Sequence, residues 1–388
     1  MSEMQEMKPK EKRIACLAFS ERGFRLAQKI ADALGAQAWR SGAPMDVHAW
    51  TKAYFDSEDA LIYVGAAGIA VRAIAPHVKD KTTDPAVVVI DERALHVIPI
   101  LSGHLGGAND LARQIASITD SDCVITTATD VNGVFAVDEW SRKQNCTLLE
   151  KEKIMHISSS LLAGRRIRVY SQWPVEGEVP EGIDVIPPET DPYAGEDLPD
   201  EEENFEVSAV DVSWDSFDAA FDAPQEGIDT NDIDVSLDIE VVGRHPLHLV
   251  PKICVLGVGC RRGTSEEAIE EKLLDVLERT CVHPAAICAV ATIDLKKDEA
   301  GLTSFCERHG WELITYTSEE LQAVKGNFIS SAFVTSITGV DNVCERSAVL
   351  ASGGELIQSK IAGGGVTMAM AVKPYHPDWN WRYEEEKE

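Results

Sequence analysis

Short apolar runs alternate with amphipathic, helix-like segments along the first third of this chain, and the alternation restarts after Pro251. "RIACLAF", "ALIYVGA", "AVVVIDE" and "LHVIPI" are continuous or nearly continuous apolar runs of strand length. Runs that are not interrupted by polar residues suit strands covered on both faces, as in parallel sheets flanked by helices. "SERGFRLAQKIADALG" and "GGANDLARQIASIT" carry the 3.6-residue period of helices, with Ser20 as an N-cap and Gly35 as a stop. "AVVVIDE" and "LHVIPI" read as two strands joined by a turn, and "DCVITTATD" as a further strand with a polar end. After Pro251, "KICVLGVGC", "AAICAVATID" and "ELITYT" are strand-like and "RRGTSEEAIEEKLLDVLERT" is helical. The fold class expected is α/β: two α/β domains with parallel-rich sheets, separated by a smaller middle domain and an acidic linker. The expected boundaries are 1–140, 141–247 and 248–375, with a peripheral tail at 376–388.

The separation comes from charge. The net charge is −29. No Lys or Arg occurs from Ser171 to Gly243, and 23 Asp and Glu lie between Glu176 and Glu240, so the rest of the chain carries only about −6. "GEDLPDEEENFE" reads as solvated loop, while "IDVSLDIEVV" alternates as strands do. Such acidity argues against a nucleic-acid partner bound through phosphate neutralisation. Nine cysteines without a C-x-x-C pair, several inside apolar runs, read as buried thiols in a reducing cytoplasm. Neither an apolar signal core nor a membrane-length apolar run is present, so a cytoplasmic protein with no membrane partner is expected.

In doubly wound sheets, sites lie at the carboxyl ends of strands, and four such junctions stand out. In "VGAAGIAVRAIAP", Gly68 eases a turn into a helix bearing Arg72, which suits an anion or, equally, a plain helix–strand contact with a surface ion pair. Lys81 follows in a turn. "LSGHLGGAND" places Ser102, Gly103, His104, Gly106, Gly107 and Asn109 between a strand and a helix. It offers backbone donors, a hydroxyl, an imidazole and an amide, a set suited to an anionic substrate and one proton transfer. It is neither a P-loop, a dinucleotide fingerprint nor a nucleophile elbow. A capping or core-edge histidine is the alternative. "ITTATDVNG" adds Thr126, Thr127, Thr129 and Asp130 at another strand end. In the last domain Gly257, Gly259 and Gly263 frame Arg261 and Arg262, with Thr264 at a helix start, and Asp341 and Asn342 open another helix. Cys260 reads as a structural thiol.

Taken together, "GIAVRAIAPHVKDKTTDPAVVVIDE", "IPILSGHLGGANDLARQIA" and "VITTATD" resemble the amino-terminal domain of the CbiG family, and "LGVGCRRGTSEEAIE" and "GVDNVCERSAVLASGGELI" resemble its carboxy-terminal domain. The resemblance implies a cobalt-precorrin-5A hydrolase of anaerobic cobalamin biosynthesis, which opens a lactone and releases acetaldehyde to give cobalt-precorrin-5B. It implies a corrinoid substrate that carries its own cobalt, hence no cofactor and no protein metal ligands, and transient contact with pathway methyltransferases as partners. His104 is the expected general base, with backbone N–H groups around Gly106 and Gly107 holding the oxyanion. Arg72, Lys81, Arg261 and Arg262 are expected to bind peripheral carboxylates. A non-catalytic corrinoid carrier would use the same corners.

Overall fold

The computed structural model describes residues 12–80, 83–186, 233–241, 246–330, 334–335 and 338–381. The chain divides between Glu139 and Trp140 into two compact units.

The first unit is a six-stranded sheet. β1 (Ile14–Ala18), β2 (Gln37–Arg40), β3 (Ala60–Val64), β4 (Ala86–Ile90), β5 (His96–Leu101) and β6 (Asp122–Cys123) are ordered β2-β1-β3-β4-β5-β6. β1 to β4 are parallel; β5 turns back antiparallel to β4, and β6 lies parallel to β5. Alternate residues of the central strands feed two cores. Cys16, Ile62, Val64 and Val88 pack beneath Ala27 and Ile30 of helix Glu21–Leu34 and Ala112 and Ile115 of helix Ala108–Thr119. Leu17, Leu61, Tyr63 and Val89 meet Trp50, Phe55, Ala70 and Ala73 on the other face. This is why these strands read as unbroken apolar runs. Ser20 caps the first helix by accepting from Gly23 N at 3.0 Å, and Gly35 ends it at φ 64°. The expected strand at "DCVITTATD" stops after Cys123, and Ala128–Asn132 is a helical turn.

The second unit holds two sheets. β7 (Cys146–Leu148), β8 (Ile167–Ser171), β9 (Ile183–Ile186), β10 (Val235–Leu237) and β11 (Leu247–Pro251) are ordered β7-β11-β10-β8-β9, with only β7 antiparallel to its neighbour. β12 (Cys254–Cys260), β13 (Ile287–Ile293), β14 (Glu312–Tyr316), β15 (Glu355–Gly363) and β16 (Val366–Val372) are ordered β14-β13-β12-β16-β15. β12 to β14 are parallel, while β16 and β15 add an antiparallel flank. Helices Glu266–Thr280 and Ala300–His309 cover one face, and Ile239, Val250 and Ile253 extend the same core toward the middle sheet. The middle segment is thus joined to the last sheet by shared packing. β11 also spans the expected boundary at 247 and belongs to the middle sheet. The tail is not peripheral as far as Trp381: Trp379 and Trp381 are buried, Trp379 stacks on Trp140 at 5.0 Å, and Trp140 Nε1 donates to Asp378 O. "GEDLPDEEENFE" and residues 382–388 lie outside the described residues. Among the described residues no helix is long and apolar enough to cross a membrane.

Candidate functional site

The glycines of "LSGHLGGAND" let the loop fold onto itself. Ala108 N donates to Ser102 O at 3.1 Å, Asn109 N to Gly103 O at 3.0 Å, and Gly107 N to His104 O at 2.9 Å. A Cβ on Gly106 would stand 2.4 Å from Ser102 Cβ, which no side chain tolerates. The helix start is therefore satisfied from within, and the N–H of Gly107 is not free to hold an oxyanion as expected. Ser102 Oγ donates to Asp84 O at 3.0 Å.

Strand direction corrects a second expectation. β5 is antiparallel to β4, so its carboxyl end lies beside the start of β4. Gly68 and Arg72 follow the carboxyl end of β3 and leave the opposite edge of the sheet. They do not join His104. Arg72 is exposed and, among the described residues, donates only to Gly68 O, at 3.4 Å. Lys81 falls outside the described residues.

β5 and β6 do run together, and their polar ends converge. Both ring nitrogens of His104 face carboxylates: Nδ1 is 3.0 Å from Asp138 Oδ2, and Nε2 is 2.9 Å from Asp130 Oδ2. Thr129 Oγ1 lies 3.4 Å from Nε2, and Glu139 Oε1 3.9 Å from it. Asp130 accepts from Arg113 Nη2 at 2.7 Å and from Asn109 Nδ2 at 3.1 Å. Asn109 Nδ2 also reaches Thr127 Oγ1 at 3.4 Å, while Thr126 is exposed. Arg113 Nη1 bridges to Asp110 Oδ1 at 3.3 Å. The cluster is largely buried; the Glu139 side chain is 3% exposed, and its Oε1 has no hydrogen-bond partner among the described residues.

Electrostatics follow from this packing. Burial pulls the His104 pKa down, but the hydrogen bonds to Asp130 and Asp138 and the charges of Asp138 and Glu139 raise it to about 10. Burial works against Asp130 ionisation, yet His104 and Arg113 hold its pKa below the usual range. Burial raises Glu139 to about 7, with His104 opposing and Asp130 and Asp110 reinforcing. An imidazolium that donates from both nitrogens has no lone pair for a further proton, and Nε2 can accept a proton or ligate a cation only once its own proton is displaced. His104 is thus central, but as a cationic donor rather than the lone base expected. Asp110, Arg113, Asp138 and Glu139 were not anticipated. Asp138 and Glu139 read as ordinary helix residues in "DEWSRK", 34 and 35 positions from His104, and no local spacing links them to it. Among the described residues, His104, Asp130 and Glu139 form a group whose ligand atoms lie within 4.8 Å of one another.

A cavity of about 360 Å³ lies on the edge of the sheet that carries Gly106, lined also by Arg13, Asp56, Lys79, Thr83 and Asp84. Its basic groups are paired, Lys79 with Asp56 at 2.9 Å and Arg13 with Asp59 at 3.8 Å.

In the second unit several expected ligand residues serve packing instead. A Cβ on Gly257 would be 1.8 Å from Cys344 O, so this glycine lets helix Val343–Ser352 lie against β12. Gly259 is crowded by Thr367 Oγ1. Asn342, buried, caps that helix by accepting from Glu345 N at 2.9 Å, and Asp341 accepts from Arg346 Nε at 2.8 Å. The Gly263 N–H is donated to Glu299, and Thr264 Oγ1 donates to Arg261 O at 2.8 Å. Cys260 is half-buried, and burial raises its thiol pKa, as a structural thiol requires. Arg261 and Arg262 remain exposed, and neither forms an ion pair among the described residues.

A family model described as cobalamin synthesis G N-terminal matches residues 49–130, and one described as cobalamin synthesis G C-terminus matches residues 254–371. The chain is 32% identical over 329 residues to a Priestia megaterium protein named cobalt-precorrin-5A hydrolase, covering 83% of this chain and 80% of that one. It is 34% identical over 321 residues to the Salmonella typhimurium protein of the same name, covering 82% and 83%. The crystal structure of CobE, a protein from the cobalamin biosynthetic pathway, is similar at 26% identity over 33% of this chain and 94% of that one, with a TM-score of 0.31.

Proposed function

Because the chain belongs to the CbiG family of cobalamin synthesis G proteins, we propose that it hydrolyses the lactone of cobalt-precorrin-5A, and that the chemistry takes place at the His104 cluster. The protein is a hydrolase of cobalamin biosynthesis. Lactone hydrolysis needs a group that accepts a proton from water and a positive pole that stabilises the oxyanion. The cluster sets the carboxylates of Asp130 and Glu139 beside the imidazole of His104 and the guanidinium of Arg113. One observation carries the assignment: a buried Glu139 oxygen with no hydrogen-bond partner among the described residues faces His104 Nε2 across 3.9 Å. A buried carboxylate oxygen without a donor is costly, so this gap favours a further polar occupant.

Water adds to the lactone carbonyl, the acyl–oxygen bond breaks, and the ring oxygen leaves as an alkoxide. The alkoxide then forms an aldehyde carbonyl as the adjacent carbon–carbon bond breaks, and the electron pair of that bond stays on the macrocycle. Acetaldehyde and cobalt-precorrin-5B are the products in this reading. The cobalt comes with the substrate. In the second unit, taken by itself, Arg261 and Arg262 are exposed and without ion pairs among the described residues, which suits them to carboxylates; a bidentate guanidinium–carboxylate pair is the strong form of that contact. The cavity beside Gly106 is of a size to take one arm of a macrocycle. In cells, transient contact with the methyltransferases of the same pathway would deliver and remove the intermediate.

The test is anaerobic incubation of the purified protein with cobalt-precorrin-5A, mass analysis of the corrinoid and trapping of acetaldehyde. Wild-type protein converts the substrate, and His104→Ala, folded by circular dichroism, loses at least about 100-fold in rate. Full turnover by that variant would remove the site assignment.

A further inference from the structure

We propose that the first unit binds one divalent first-row transition-metal ion between His104 Nε2, Asp130 and Glu139. The inference concerns binding alone and stands whether or not the lactone reading holds.

Geometry comes first. Ligand–metal bonds of about 2.0–2.2 Å at near-tetrahedral angles set neighbouring ligand atoms roughly 3.2–3.6 Å apart. Nε2 lies 2.9 Å from Asp130 Oδ2 and 3.9 Å from Glu139 Oε1, and the ligand atoms of the three side chains all lie within 4.8 Å of one another, so shifts of about 1 Å bring the three donors to ligating separations. The three side chains come from the loop after β5, from helix Ala128–Asn132 and from helix Val137–Lys143. Two of the donors are thus set on helices, which hold position better than loops.

The second observation is independent of the clustering. Glu139 Oε1 is buried, faces the imidazole and has no hydrogen-bond donor among the described residues. Folds rarely leave such an oxygen bare, and a water or an ion commonly completes it. A cation does so directly.

Surrounding groups match what metal-bound side chains require. A histidine that ligates through Nε2 orients itself by donating Nδ1–H to a carboxylate, and Asp138 Oδ2 stands 3.0 Å from Nδ1. A ligating carboxylate is itself held by donors, and Asp130 is held by Arg113 and Asn109. Charge agrees: Asp110 and Asp130 pair with Arg113, while Asp130, Asp138 and Glu139 all lie against the single imidazole of His104. One imidazole with two carboxylates suits Mn²⁺, Fe²⁺, Co²⁺ or Zn²⁺ better than the all-oxygen cages of Ca²⁺. This differs from the expectation of no protein metal ligands. The sequence positions 104, 130 and 139 have no ligand spacing and meet only in the fold.

The probe is Mn²⁺, because nine free thiols would compete for Zn²⁺. Full-length protein, treated with chelator and desalted, is titrated with Mn²⁺ while the paramagnetic resonance signal of the free ion is followed. One equivalent is expected to vanish from that signal. Glu139→Gln and His104→Gln, each folded by circular dichroism, should bind at least about tenfold more weakly. Wild-type protein labelled with ¹⁵N-histidine provides a check that needs no variant: the bound ion should show coupling to one imidazole nitrogen. An undiminished free-ion signal, unchanged affinity in Glu139→Gln, or bound Mn²⁺ with no nitrogen coupling overturns the proposal.

Discussion

Asp138 Oδ2 lies 3.0 Å from Nδ1 of His104, on the ring nitrogen opposite the one that faces Asp130. The imidazole is therefore clamped along its long axis, with its orientation set from a helix rather than from its own loop. Asp138 contributes by holding His104 in place. Asp138→Asn keeps the size and one acceptor but removes the charge, so the fold should survive while turnover of cobalt-precorrin-5A falls about 10–100-fold. Initial rates and a thermal melt measured on the same preparation check this. A rate that stays within twofold of wild type, with the melt also unchanged, would refute the orienting role.

Two sets of residues in the last sheet should separate cleanly. Gly257 is sealed against Cys344 O, where an added Cβ would stand at 1.8 Å. Gly257→Ala must push helix Val343–Ser352 off β12, and overpacking of this kind costs roughly 1–3 kcal/mol or more. The urea midpoint should drop accordingly. A midpoint equal to wild type would show that the helix yields freely at this position.

Arg261 and Arg262 should behave in the opposite way. They are exposed and outside any ion pair among the described residues. The double change to Gln should leave stability within about 0.5 kcal/mol. It should raise KM for the polycarboxylate substrate several-fold with little effect on kcat, the pattern of lost uniform binding. Raised salt should mimic the change in the wild-type protein. An unaltered KM would take these arginines out of substrate binding.

Much of the scaffold is legible in the amino-acid sequence. Buried parallel strands such as Ala60–Val64 and Ala86–Ile90 announce themselves because both faces are covered, and Ser20 and Gly35 mark a helix by local chemistry alone. The candidate site is only half legible. His104, Asn109, Thr127 and Asp130 sit at junctions whose composition is unusual, and they do converge. What a sequence conceals is strand direction: the reversal of β5 puts Arg72 on the far edge from His104. It also conceals partners that arrive from a distant helix of ordinary composition, as Asp138 and Glu139 do. Gly257 and Asn342 misled for another reason. A glycine at close packing and an asparagine at an N-cap have the same local signature as ligand-binding residues, and only the third dimension tells them apart.

The middle sheet yields a prediction about pH. Asp238 is buried, and burial raises its pKa to about 6, reinforced by Glu240 and opposed by backbone donors and His248. The unfolded value is about 3.9. The folded state thus binds the proton more tightly, so this contribution to stability is full below about pH 4 and is lost as pH rises through about 6. Asp238→Asn keeps an acceptor for Glu240 N and should remove that slope. Above pH 7 the variant should be more stable than wild type, by an order-of-magnitude 2–3 kcal/mol at most. Urea titrations at several pH values decide it. A variant less stable than wild type at pH 7 would mean that Asp238 is ionised and well served in the fold.

Metal loading should appear in the stability of the first unit. A ligand that binds only the folded state adds RT ln(1 + [L]/Kd), about 2.7 kcal/mol at a hundredfold excess over Kd. Mn²⁺ added to chelator-treated protein should therefore raise the melting temperature by several degrees, and a chelator should reverse it. Glu139→Gln makes the expectation sharper. In the metal-free wild type the unpartnered Glu139 oxygen is a burden on the fold. Replacing that carboxylate with a neutral amide relieves the burden and weakens the ion's hold at the same time. The variant should melt at or above the metal-free wild type and respond little to Mn²⁺. A variant that melts lower than metal-free wild type while keeping the full Mn²⁺ response would show that Glu139 belongs to the packing of its helix and that the ion, if bound, sits elsewhere.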